Sequence, residues 1–131
     1  MTHLPLNDSP SAMQQTLGYR MTSWTPDHAT FEMPVSPEIL NRAGIPHGGA
    51  LATLLDTTMG NAGCYSAPGE PLHNALTLTL NVSYLAQAQG KLLIAKGRRT
   101  GGGRSTFFAE ATVEDETGVL IATGSGAFRW R

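Results

Sequence analysis

The chain has 131 residues, enough for one domain with a real core and too few for two ordinary ones. Nine Lys and Arg against ten Asp and Glu give a formal charge of -1, which excludes a basic field able to recruit nucleic acid or anionic lipid. Cys64 stands alone, which excludes an intrachain disulfide framework and a cysteine-built metal site and fits a reducing cytoplasm.

Residues 1–11, polar and carrying Pro5 and Pro10, read as a loose arm with neither the basic start nor the apolar stretch of a secretory leader. "SAMQQTLG" spells a short helix ending at Gly18, a residue suited to a left-handed C-cap. "YRMTSWT" and "HATFEMPV" read as strands joined by a turn at Pro26 and Asp27, and Pro34 and Pro37 close the second. From Gly49 the period becomes helical. Leu51, Leu54, Leu55, Thr58 and Ala62 form one stripe, and "NAG" with "APGEP" ends the helix near residue 66. From Asn74 the pattern is β again: "ALTLTLNVSYL", "KLLIAKGRRT", "STFFAEATVED" and "VLIATGSGAFRW" read as four strands in a meander. Their links, "QAQG", "GGG" at 101–103 and "ETG", look hairpin-like. No apolar run approaches the roughly 20 residues a spanning helix needs, so the expectation is a soluble cytoplasmic chain without a membrane partner. This α+β order, one long helix among mostly antiparallel strands, predicts a single domain over residues 1–131, with the sheet curled round the helix.

Chemistry concentrates in "NRAGIPHGGALATLLD", residues 41–56. Gly48 and Gly49 stand where loop becomes helix, and first-turn N–H groups have no helical acceptor there. Two readings stand side by side: an uncovered backbone able to polarise a carbonyl oxygen, or merely a tight entry into the helix. Asp56 lies off the leucine stripe, on a flank with Ala52, Thr53, Gly60 and Gly63. An isolated helical aspartate ordinarily faces solvent, but a helix wrapped by a sheet has little circumference left for water. The glycine amides and Asp56 are roughly 11 Å apart along the axis at about 1.5 Å per residue, too far to serve one carbonyl. A catalytic reading therefore requires two chains with antiparallel helices about a two-fold axis. His47 either touches a substrate carbonyl or braces the loop, with bracing the slightly favoured reading. Arg98, Arg99 and Arg104 read as solvated hairpin charges or as a local phosphate clamp. His3, His28, His47 and His73 show no metal-ligand spacing, so no metal site is expected. Cys64 has no evident base and reads as a small buried hydrophobe.

The segment "PEILNRAGIPHGGALATLLD" resembles the hotdog-fold acyl-CoA thioesterases of the phenylacetate-pathway type. The likeness rests on Asn41, Gly44, His47 with Gly48 and Gly49, and an acid nine residues after the histidine. It extends through "TLGYRM", "LNVSYLAQA" and "GRSTFFAEATVEDETGVLIATGSGAF". It implies an antiparallel sheet of five to six strands round one helix, dimerising into a double hotdog, with a dimer of dimers as the further assembly. It also implies roles. Gly48 N–H would hold the thioester oxyanion, Asn41 would orient substrate or water, and His47 would support the carbonyl. Asp56 of the partner chain would act as general base or nucleophile. Thr77 matches a position that in some members holds the attacking water, and reads equally as one more threonine of an alternating strand. Gly49 and Met59 are expected to line the substrate pocket. Ala86 and Gln87 depart from the arginine and proline that relatives often carry, removing a possible phosphate contact.

The expected activity is hydrolysis of an acyl-CoA, or a related acyl thioester, to free acid and thiol. No cofactor is expected beyond the coenzyme A of the substrate. Two alternatives stand: a hotdog hydratase or dehydratase, for which only His47 is available near the helix start, and a non-catalytic acyl-CoA sensor.

Overall fold

A computed structural model describes residues 10–131, so residues 1–9, including His3 and most of the expected arm, lie outside it. The elements run α1 (Ala12–Leu17), β1 (Arg20–Thr25), β2 (His28–Pro34), a 3-10 turn (Pro37–Ile39), α2 (Gly48–Ala62), β3 (Ala75–Tyr84), β4 (Leu92–Gly102), β5 (Thr106–Asp115) and β6 (Leu120–Trp130). Local chemistry sets most boundaries. Ser11 caps α1 by accepting the Gln14 N–H, and Gly18 ends it at φ 83°, a left-handed conformation that costs a side-chain-bearing residue energy.

The six strands form one antiparallel sheet in the order β1-β2-β4-β5-β6-β3, and α2 packs on one face of it. This is the helix-in-sheet arrangement that the resemblance implied. The stripe is the reason. Leu51, Leu54, Leu55, Thr58 and Ala62 are all buried, and each large apolar side chain among them contributes about 1.5–3 kcal/mol by leaving water. Facing them are Met33, Leu93, Phe107, Val113 and Phe128, with the Phe107 and Phe128 rings stacked at 5.0 Å. At Gly97 the sheet comes so close that a Cβ would lie 2.9 Å from Thr58 Cγ2, which fixes glycine there. Two tryptophans finish the helix. Trp24 Nε1 donates to the Asn61 carbonyl (2.8 Å) and Trp130 Nε1 to the Gly63 carbonyl (2.9 Å), satisfying oxygens that the helix end leaves open.

Three expectations are corrected. The helix stops at Ala62 rather than near residue 66, with Gly63 as its C-cap. The last four strands are not one meander. Only β4, β5 and β6 follow one another, while β3 lies at the far edge and pairs with β6. "QAQG" is accordingly a crossover and not a hairpin. Its Gln89 and Gly90 N–H groups bond to Asp115 Oδ2 at 2.7 and 2.8 Å, which ties the crossover to the β5–β6 turn across the end of the sheet. Among the described residues no helix is long and apolar enough to cross a membrane.

Candidate active site

The loop before α2 is built by Asn41. Its Oδ1 accepts the N–H groups of Ala43 (2.9 Å) and Ile45 (3.3 Å), and Gly44 turns the chain at φ 79°. The Asn41 carbonyl accepts the Gly44 N–H, and the His47 N–H reaches back to the Ile39 carbonyl at 2.7 Å. His47 then serves as the N-cap, its Nδ1 accepting the Gly49 N–H at 2.8 Å. The ring therefore braces the helix start and occupies the Gly49 amide. What stays open is the Gly48 N–H, which has no acceptor among the described residues.

Tyr84, at the end of β3, packs over this turn. Its hydroxyl donates to the Gly48 carbonyl at 2.7 Å, and a Cβ on residue 48 would meet its ring at 3.3 Å. Gly48 and Tyr84 share a cavity of about 380 Å³ with Leu51, Leu85 and Gln87.

Asp56 is half-buried, two turns further along α2. Thr77 Oγ1 donates to its Oδ1 at 2.7 Å, while Oδ2 has no partner among the described residues. The carboxylate opens into a second cavity of about 250 Å³ that also takes in Gly60, Asn61, Cys64, His73 and Asn74. Strand β3 reaches both ends of the site because it runs antiparallel to α2. Strict alternation would put Thr77 and Tyr84 on opposite faces of the sheet. A bulge between Thr77 and Thr79 adds one residue against β6 and turns both side chains toward the helix.

Other expected residues fall elsewhere. Met59 is wholly buried in the core beneath the sheet and lines none of these cavities. The three arginines do not converge. Arg98 is paired with Glu110 at 2.6 Å, and Arg99 lies over the Trp130 ring at 5.2 Å with Asp27 3.7 Å away. Arg104 stands exposed, with no ion-pair partner among the described residues. Burial pushes the Cys64 thiol up to about 11, so it stays protonated and is a poor nucleophile. A further cavity of about 530 Å³ lies on the sheet's outer face among Asn81, Lys96, Thr112 and Ser125, away from α2. Its one guanidinium, Arg98, is already paired. Tyr84 and His73 were not singled out from the sequence. Tyr84 stands at the end of a strand that looks uniform, and His73 sits in a loop without pattern.

Residues 43–122 match the model of the thioesterase superfamily. The chain belongs to that superfamily, and its architecture is the hotdog fold. More particularly, it is 28% identical over 106 residues to mouse acyl-coenzyme A thioesterase 13, covering 79% of this chain and 74% of that one. A Halobacterium salinarum protein that bears an esterase name is 35% identical over 91 residues, 66% of this chain. The match spans only 60% of that relative's length. A Bacillus halodurans protein whose structure holds CoA superposes with a TM-score of 0.70 at 30% identity, covering 78% of this chain and 66% of that one.

Proposed function

We propose that this chain is a thioesterase that hydrolyses an acyl-CoA to free acid and thiol, in active sites shared between two copies. The observation that carries this reading is the division of the site along α2. An open amide at Gly48 and an open carboxylate at Asp56 lie roughly 12 Å apart on one helix. Neither half is sufficient alone. The β3 edge between them has no paired strand among the described residues and bears Leu76, Leu78 and Leu80, which are 51%, 53% and 36% exposed. An apolar edge of this kind invites another strand. Antiparallel pairing of two β3 edges about a two-fold axis near Leu80 and Asn81 brings the Asp56 half of one copy to the Gly48 half of the other.

The thioester carbonyl oxygen then sits on the Gly48 N–H at the helix start, where the macrodipole favours developing negative charge. Asp56 of the other copy, oriented by Thr77, takes a proton from water as the oxygen attacks the carbonyl carbon. The tetrahedral intermediate collapses, the C–S bond breaks, and the proton held by Asp56 passes to the departing sulfur to give the thiol. Attack by the carboxylate itself is the second route. Label in Asp56 after a single turnover in ¹⁸O water would establish that route, because it can enter only through an acyl-aspartyl anhydride that water opens at the aspartyl carbon. The reaction as drawn uses water and these groups alone. A pantetheine-bearing substrate is supported by the CoA held in the Bacillus halodurans relative, and Arg98, Arg99 and Arg104 do not converge on one point that could clamp its phosphates.

Complementation tests the shared site. Gly48→Pro removes one N–H at the first helical position, where proline is tolerated; His47 already has the extended backbone that precedes a proline, and the exposed Tyr84 ring, 3.3 Å from a Cβ there, has room to give way. Gly48→Pro and Asp56→Asn should each lose roughly 10²–10³-fold in thiol release. Refolding them together should restore about one quarter of wild-type activity, since half the dimers are mixed and each holds one intact site. No recovery on mixing would place both groups in one chain and overturn the proposal.

A further inference from the structure

The cavity beside Asp56 extends past the reacting groups. Its floor is the C-terminal end of α2, with Gly60 and Asn61 one turn beyond Asp56 and Cys64 just past the end of the helix. Its far wall is His73 and Asn74, the residues just before β3. The wall is held by the backbone. Ser66, fully buried, accepts the His73 N–H at 2.9 Å and donates to the Cys64 carbonyl at 3.0 Å, and the Asn74 carbonyl accepts the Arg131 N–H at 3.0 Å. The His73 and Asn74 side chains on it are exposed to water in the single chain. Neither the His73 ring nor the Asn74 carboxamide has a hydrogen-bond partner among the described residues. Asn61 uses only its Nδ2, on the Thr57 carbonyl, which leaves its Oδ1 open.

A hydrocarbon chain seated here would take these groups out of water and offer nothing in return. A carboxylate would share one small space with Asp56, like charge beside like charge. An uncharged hydroxyl can donate to Asn61 Oδ1 and accept from Asn74 or His73. At about 250 Å³ the space is also smaller than the roughly 300–1,000 Å³ of pockets that bury a drug-sized ligand. Resting on the acyl-CoA reading above, we infer that this cavity receives the acyl group, and that His73 and Asn74 select a short acyl group ending in an uncharged hydrogen-bonding function.

The test compares 6-hydroxyhexanoyl-CoA with heptanoyl-CoA, which differ by a hydroxyl for a methyl, and with adipoyl-CoA, which ends in a carboxylate. The wild type should favour the hydroxy substrate in kcat/KM by about tenfold or more over both others. His73→Ala should bring the hydroxy-to-alkyl ratio close to one, and His73→Gln, which keeps a donor and an acceptor, should recover much of it. A wild type that prefers heptanoyl-CoA, or a ratio that His73→Ala leaves unchanged, overturns the inference. If no substrate is hydrolysed, the thioesterase reading fails by itself, and calorimetry with the S-(6-hydroxyhexyl) and S-heptyl thioethers of CoA decides this one. Tighter binding of the hydroxy ligand that His73→Ala abolishes supports the pocket, whereas equal or undetectable binding overturns it.

Discussion

Asp115 and Asp56 are both carboxylates drawn into the fold, and their surroundings differ in kind. At the β5–β6 turn, Asp115 Oδ1 accepts the Thr117 N–H, the Thr117 hydroxyl and the Val119 N–H, and Oδ2 accepts the Gln89 and Gly90 N–H groups. The Thr117 hydroxyl foremost, then the Gly90, Gln89 and Val119 amides, hold its carboxyl well below the usual range against the opposing effect of burial. Next to it, Glu116 is lowered chiefly by the Lys91 and Leu92 amides, where the crossover enters β4. Among the described residues Asp56 has one donor, Thr77, and an open second oxygen beside a cavity. A carboxylate with every lone pair engaged joins chain segments. One held by a single bond is positioned yet free to take a proton or meet a reacting carbon.

The contrast is broken most sharply by exchanging losses. Asp56→Asn should lower thiol release by roughly 10²–10⁴-fold while moving the melting temperature by no more than about 2 °C. Asp115→Ala strands the crossover amides and should lower the melting temperature by roughly 5–15 °C with activity per folded molecule retained. A catalytic defect in the second variant without a fall in melting temperature would erase the distinction. Thr77→Val sharpens it, since Asp56 then loses the Thr77 hydroxyl that orients it. An approximately tenfold fall in kcat is expected, with Thr77→Ser recovering most of it.

The smallest effect is on pH dependence. Because the folded-state values of Asp115 and Glu116 are depressed, the unfolded chain binds more protons in acid. Their contribution is fully present above the ordinary carboxylate range near pH 4 and is lost progressively as pH falls below it. Urea titrations of Asp115→Asn/Glu116→Gln should therefore show lower stability at pH 7 and a flatter decline below about pH 4 than the wild type. An acid limb as steep as the wild type's would mean that other carboxylates dominate.

Much of the fold could be read from the chain because its causes are local. The stripe from Leu51 to Ala62, the left-handed stop at Gly18 and the Pro26-Asp27 turn each depend on neighbours a few residues apart. The segment from Asn41 to Asp56 was legible for the same reason, since one loop and one helix hold it. Helical rise alone was enough to show that the Gly48 amide and Asp56 of one chain cannot share a carbonyl.

Tertiary structure decided the rest. "ALTLTLNVSYL" alternates well enough to be a strand anywhere, and nothing in its pattern says that it pairs with β6 and leaves its leucines at an open edge. That choice depends on partners up to 55 residues away, as in Ala75 opposite Trp130, and on the Asp115 clasp that carries the crossover. Alternation also misplaces Thr77, which faces α2 only because of a bulge formed against β6. Met59 and Arg99 went to the core and to Trp130 for the same reason. Period and turn chemistry determine which residues form an element and which face it offers. Which neighbour covers that face is settled by competition among all the elements for burial, and the whole chain decides it at once.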